Sequence, residues 1–194
     1  MVIDKYQNDP HSMAKKEYKN NNNNIIMKYY YLNEWFEISN NRENVKNQYI
    51  SLLSQLTTVE DMSVEKFEES IRKICEMGDI VVCVDDQQIV GSNCEASILG
   101  SNYEAINQQI VGSGTIIYEP KITHGGKCVG HIEDIVVDEK NRGLKIATEI
   151  IKKLTECAKE HNCYKVILDC SADMETYYER QGFTKKGAQM AIYF

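Results

Sequence analysis

The sequence lacks a long hydrophobic run and an excess of basic residues. No apolar stretch approaches the roughly 18 residues of a membrane-spanning helix, so we expect no membrane partner. Asp and Glu (29) outnumber Lys and Arg (22), and the formal net charge is −7. This negative field disfavours nucleic acid as a partner. Any anionic ligand would need a local positive site.

The spacing typical of zinc sites is also missing. The seven cysteines include no Cys-x-x-Cys pair with matching histidines, so we expect no metal. An odd number of cysteines without a recognisable signal peptide favours reduced thiols and a cytoplasmic location. Cys128 and Cys170 lie in apolar runs with no base partner indicated. We expect both to be buried packing residues rather than nucleophiles.

The composition indicates a tail followed by one domain. Residues 1–28 include the run Asn20–Asn24 and are too polar to bury a core, which predicts a low-complexity, disordered tail. Residues 29–194 have the length of one domain. The chain is 42% hydrophobic, which is sufficient for a core.

Hydrophobic spacing predicts an α/β sandwich with a mixed sheet. The hexapeptide QQIVGS occurs twice, at 87–92 and 108–113. We place the second copy in the sheet and expect residues 93–107 to be an insertion. The predicted strands cover residues 29–39, 79–85, 109–118, 129–137, 163–170 and 189–194, and the predicted helices cover 45–57, 64–77 (with Ser63 as N-cap), 144–161 and 174–181.

One segment combines carboxylates with a potential anion site. The apolar strand at 130–137 carries Glu133 and Asp134, and an Arg-Gly turn and an amphipathic helix follow it. The first N–H groups of a helix bind anions. Adjacent strand residues point to opposite faces, so one acid would face a reacting amine and deprotonate it. This pattern suggests a transferase with a phosphorylated cofactor.

Three motifs occur in a specific order: GHIEDIVV at 130–137, NCYKVILDC at 162–170 and YYERQGF at 177–183. Together they resemble the acetyltransferase (GNAT) superfamily and, within it, the family of glucosamine 6-phosphate N-acetyltransferases. The resemblance implies the three-layer acyl-CoA N-acyltransferase fold, with a mixed, mostly antiparallel sheet between helices. It also implies acetyl transfer from acetyl-CoA to the sugar amine in a ternary complex, a step of UDP-N-acetylglucosamine biosynthesis.

The resemblance also assigns residues. Glu133 would be the base, Asp134 would contact the amino sugar, and the Tyr178 hydroxyl would stabilise the departing thiolate. The pantetheine and diphosphate of CoA would bind the backbone of Ile135, Val136, Val137, Arg142, Gly143, Leu144, Lys145, Ile146 and Ala147. The sugar phosphate would contact Thr57, Lys121, His124, Glu133, Asp134, Tyr164, Lys165 and Asp169.

Three residues depart from the family pattern. Lys145 replaces a glycine of the diphosphate loop, and its ammonium would either contact a phosphate or point to solvent. Met174 stands in place of an asparagine and Tyr193 in place of a basic residue. These departures keep two alternatives open: acetylation of another small-molecule or protein amine, and a non-catalytic acyl-CoA sensor.

The resemblance further implies a homodimer that packs or exchanges its C-terminal strands. The apolar segment Met190–Phe194 fits a buried interface.

Overall fold

A six-stranded sheet forms the centre of the computed structural model, which describes residues 18–19, 26–86 and 108–193. The strands follow chain order across the sheet, and every neighbouring pair is antiparallel except the parallel pair β5–β6. This is the mixed, mostly antiparallel sheet that the sequence predicts. The strands are β1 (Tyr18–Lys19), β2 (Ile26–Tyr31), β3 (Gly78–Asp86), β4 (Gln108–Pro120), β5 (Cys128–Val137) and β6 (Cys163–Leu168).

Helices cover both faces of the sheet, which confirms the three-layer fold. One face packs against the first three helices around Trp35 and Phe67, and the other packs against the fifth helix around Ile150 and Leu154. None of the helices in the described ranges is long and apolar enough to cross a bilayer. The helices are α1 (Leu32–Ile38), α2 (Arg42–Leu53), α3 (Val64–Cys75), α4 (Thr123–Gly126), α5 (Ile146–Glu160) and α6 (Glu175–Glu179).

Short sequence motifs correctly predicted where a helix and a strand begin. The Ser63 side chain accepts a hydrogen bond from the Lys66 N–H and caps α3, as predicted. The second QQIVGS copy begins β4. The first copy, at 87–92, and the expected insertion at 93–107 lie outside the described residues. The sheet includes residues 18–19 and 26–28 of the segment expected to be a tail.

Two predicted strands are wrong. The chain is extended only to Tyr31 and then forms α1, because Leu32, Trp35 and Phe36 have helical spacing and are all buried. The aromatic content of this segment masked that spacing. No strand occurs over residues 189–193. An extended segment becomes a strand only beside a partner edge, and no strand of the described part of the chain pairs with this segment.

Candidate active site

A β-bulge lies at the two acidic residues of β5. Ser113 pairs with Val136 and Thr115 pairs with Glu133, so two β5 residues face one β4 residue. Asp134 has a left-handed backbone with φ of 52°, a conformation that is uncommon outside glycine. The bulge breaks the expected alternation, and the side chains of Glu133 and Asp134 are both exposed.

Strands β5 and β6 separate at the same point. Their parallel ladder ends at the pair Ile132–Leu168, so within the described residues no strand pairs with the β6-facing edge of 133–137. The Val136 side chain is buried, and those of Ile135 and Val137 pack against the core. Their backbone is therefore the part of these residues that is suited to hold an amide-bearing chain by strand addition.

The turn after β5 leads directly to the N-terminus of α5. Arg142 Nε donates a hydrogen bond to the Val137 carbonyl at 3.3 Å, and Gly143 has φ of 83°. Lys145 is the N-cap residue, with φ of 62° and no side-chain cap. The left-handed backbone that the family's glycine favours is thus retained with lysine. Leu144 and Ile146 pack into the core, and Ala147 is half-buried, so this loop offers mainly backbone N–H groups to an anion.

The electrostatics of β5 suit a proton acceptor. Although Glu133 is largely exposed, partial desolvation raises the pKa of its carboxyl above the ordinary value, and the charges of Asp134 and Asp169 add to this effect. His131 acts in the opposite direction, and its Nε2 lies 2.9 Å from a carboxylate oxygen of Glu119. A carboxylate with a raised pKa is a better base for an ammonium group.

Tyr178 lies on α6 in an aromatic cluster. Its ring makes edge contacts with Tyr177 (centroids 5.2 Å apart) and Phe183 (6.0 Å). Burial raises the pKa of the Tyr178 hydroxyl, with smaller contributions from Tyr177 and Cys170. The hydroxyl is therefore protonated at neutral pH and able to donate a hydrogen bond to a developing thiolate.

A groove of about 770 Å³ runs along the outer edge of β6. Its lining includes Lys165, Asp169 and Tyr178, together with residues 181–189. Asp169 follows β6, which ends one residue earlier, and its carboxylate accepts a hydrogen bond from Gln189 Nε2 at 2.8 Å. Cys170 is exposed, contrary to expectation, because β6 ends before it.

The predicted sugar-phosphate residues fall into separate groups. His124 stacks on Tyr164 with centroids 4.0 Å apart, and the Lys165 ammonium lies 5.7 Å from that ring. Lys165 pairs with Val129 near the start of β5, about 13 Å of strand away from Glu133. Lys121 forms an ion pair with Glu119.

Thr57 lies beyond the end of α2, where its N–H donates to the Leu53 carbonyl at 3.2 Å. Sequence reasoning missed its neighbour Gln55. The Gln55 side-chain oxygen accepts from the Glu139 N–H at 3.0 Å, and its amide donates to Asp138 Oδ1 at 2.9 Å. Gln55 therefore joins the Thr57 segment to the turn after β5. No composition signal distinguishes this glutamine from a solvated one.

Cys128 is only half-buried, whereas the sequence predicts a fully buried residue. Its register partner on the neighbouring strand β6 is Cys163. Within residues 26–86 and 108–193, no three His, Cys, Asp or Glu side chains cluster so as to hold a metal ion.

Comparison with known proteins agrees with this geometry. The sequence model of the acetyltransferase (GNAT) family matches residues 60–183. The chain is 35% identical over 148 residues to "Probable glucosamine 6-phosphate N-acetyltransferase 2" of Oryza sativa, covering 75% of this chain and 80% of the rice protein. The glucosamine 6-phosphate N-acetyltransferase of Arabidopsis thaliana is 33% identical over 159 residues, covering 81% and 93% of the two chains.

A solved structure gives the same result. The crystal structure of glucosamine-6-phosphate N-acetyltransferase from Arabidopsis thaliana superposes with a TM-score of 0.66 at 27% identity, covering 87% of this chain and 98% of that one. The chain belongs to the acetyltransferase (GNAT) family.

Proposed function

We propose that the protein is an enzyme that transfers the acetyl group of acetyl-CoA to the amine of D-glucosamine 6-phosphate. The main structural support for this proposal is the bulge of β5, which exposes Glu133 and Asp134 where β5 and β6 separate. The names of several relatives support the choice of amino sugar. The transfer would be direct, with acetyl-CoA and the amino sugar bound together in a ternary complex.

The cofactor site consists mainly of backbone. The unpaired edge of Ile135–Val137 would hold the pantetheine amides, and the N–H groups of Arg142–Ala147 would hold the diphosphate. Gly143 and Lys145 both have left-handed backbone conformations in this loop. Acetyl-CoA would thereby place its thioester between β5 and β6, next to the bulge.

Three side chains carry the chemistry. Glu133 would remove a proton from the ammonium, directly or through water, so that the nitrogen lone pair attacks the thioester carbonyl. Asp134 would orient the amino sugar. As the C–S bond breaks, the Tyr178 hydroxyl would donate a hydrogen bond to the departing sulfur, and the thiolate would take up the second proton that the attacking nitrogen loses.

The sugar hydroxyls or ammonium would contact Asp169, and the phosphate would contact cations and donors among Thr57, Lys121, His124, Tyr164 and Lys165.

We further propose a homodimer. Met190, Ile192 and Tyr193 are exposed apolar residues that follow Gln189, which contacts Asp169 just after β6. In the described part of the chain β6 is an edge strand of the sheet, and both features favour a second chain. The reaction would serve UDP-N-acetylglucosamine biosynthesis in the cytoplasm.

The test is thiol release from acetyl-CoA with glucosamine 6-phosphate as acceptor, and with glucosamine and glucose 6-phosphate as controls. Turnover only with the aminated and phosphorylated sugar is the expected result. Turnover with another amine alone would move the assignment to that substrate, as the changes at Lys145, Met174 and Tyr193 suggest. Binding of CoA without any turnover would indicate a sensor.

A further inference from the structure

A cluster of buried hydroxyl groups lies on the face of the sheet that α2 covers. Tyr49 of α2 is 6% exposed, and its hydroxyl accepts a hydrogen bond from Ser113 Oγ at 3.1 Å. Thr115, two residues further along β4, is also buried and interacts with the same hydroxyl. Buried hydroxyls lose their water contacts and need partners. In this cluster Ser113 and Thr115 are the hydrogen-bond partners of the Tyr49 hydroxyl.

The phenol is not required for packing at this position. The Tyr49 ring lies 5.6 Å from the Phe67 ring, within the apolar cluster of α1–α3, and a phenylalanine ring would fill the same space. The hydroxyl is therefore the part of the side chain that needs a separate role.

The cluster spans the bulge. Ser113 is the last β4 residue paired before the irregularity and Thr115 the first paired after it, with Asp134 opposite the gap. Burial, together with the Asp134 charge, raises the pKa of Tyr49 to about 12, while the hydrogen bonds from Ser113 and Thr115 act in the other direction. The hydroxyl thus keeps its proton at neutral pH.

We propose that the Tyr49 hydroxyl, held by Ser113 and Thr115, is a positioning group that fixes the bulge and thereby the direction of the Glu133 and Asp134 carboxylates. This inference rests on the proposed function, because it assigns the bulge a part in presenting the acceptor amine. Tyr49 itself touches neither substrate. A bulge that relaxes would return Asp134 to extended backbone and displace both carboxylates.

The test compares Tyr49→Phe with Tyr31→Phe. The Tyr31 hydroxyl is also partly buried, but it contacts Cys157 Sγ at 3.3 Å on the opposite face of the sheet. Both variants lose one interior hydroxyl, so their melting temperatures control for stability. We expect Tyr49→Phe to lower kcat roughly tenfold, because the Glu133 and Asp134 carboxylates would be misplaced. The KM for acetyl-CoA should not change. Tyr31→Phe should keep the wild-type kcat.

Ser113→Ala provides a second variant that retains the phenol, and it should lower kcat in the same direction. Equal kcat in Tyr49→Phe and Tyr31→Phe would overturn the proposal. A crystal structure of Tyr49→Phe gives a readout independent of substrate: a regular strand at Asp134 supports the positioning role, and an intact bulge contradicts it. Lack of wild-type turnover with glucosamine 6-phosphate would contradict only the proposed function.

Discussion

Gly114 lies directly against Ile135, whose Cδ1 atom is too close to leave room for a Cβ at position 114. The same Cβ would lie 2.7 Å from Ile150 Cγ2 and 3.1 Å from Leu154 Cδ1. The single β4 residue that faces the bulge therefore has no side chain, which lets the side chain of the bulged strand pack down onto α5.

We expect Gly114→Ala to destabilise the protein by about 1–3 kcal/mol, because the added methyl group overpacks the core next to the bulge. Gly187→Ala is the matched control, since no atom lies within 4 Å of its added Cβ. Urea unfolding of both variants gives the measurement. A similar midpoint for the two would show that the bulge tolerates a side chain at position 114.

The raised pKa of Glu133 predicts a charge-dependent pH profile. A base must be deprotonated, so the acid limb of kcat should lie above the ordinary carboxyl range. Asp169→Asn removes a negative charge that raises this pKa, and His131→Gln removes a charge that lowers it. We expect the acid limb to move to lower pH in Asp169→Asn and to higher pH in His131→Gln.

The profiles are measured as kcat with both substrates saturating, so that weaker binding does not enter. Shifts in the same direction for both variants, or none, would exclude Glu133 as the group that sets the acid limb.

Tyr178 and Tyr177 are adjacent tyrosines with different expected roles. The Tyr177 hydroxyl lies 3.4 Å from Thr148 Oγ1, whereas the Tyr178 hydroxyl is proposed to stabilise the thiolate. We expect Tyr178→Phe to lower kcat roughly tenfold or more, with KM for acetyl-CoA nearly unchanged. Tyr177→Phe should retain wild-type kcat. A larger loss of kcat in Tyr177→Phe than in Tyr178→Phe would instead assign the stabilisation of the thiolate to Tyr177.

Much of the fold followed from periodicity, because each helix and strand of the core buries a regular face. Ser63 illustrates a local signal that sufficed: an N-cap depends on its own side chain. The bulge at Asp134 had no such signal, since its cause lies in residues more than 15 positions away, such as Gly114. For the same reason, the sequence of the predicted helix 45–57 gives no sign that the Tyr49 hydroxyl has partners on another element. Its partners become visible only when α2 lies on β4.

The C-terminal segment provides a test of the proposed dimer. Ile192 is 82% exposed in the single chain, and Ile122 is also fully exposed, at 101%. Burial of a charge in an apolar interface is unfavourable, so Ile192→Glu should shift the mass in light scattering from dimer to monomer. Ile122→Glu, which lies outside the segment, should remain dimeric. A wild-type monomer that is fully active would contradict the proposal.

Lys145 allows the diphosphate loop to be tested separately from the chemistry. Its φ of 62° places an L-residue in the left-handed region, which costs about 1 kcal/mol relative to glycine. We expect Lys145→Gly to raise the free energy of unfolding by about 0.5–1 kcal/mol, whereas Lys145→Ala should give no gain because alanine has the same backbone strain. Urea denaturation measures both.

The same variants test how the loop binds CoA. If the loop holds the diphosphate by its backbone, the affinity of Lys145→Gly for CoA should stay within about threefold of wild type, which is the range of an exposed ion pair. A loss well beyond that range in both variants would instead assign the Lys145 ammonium to a phosphate of the cofactor.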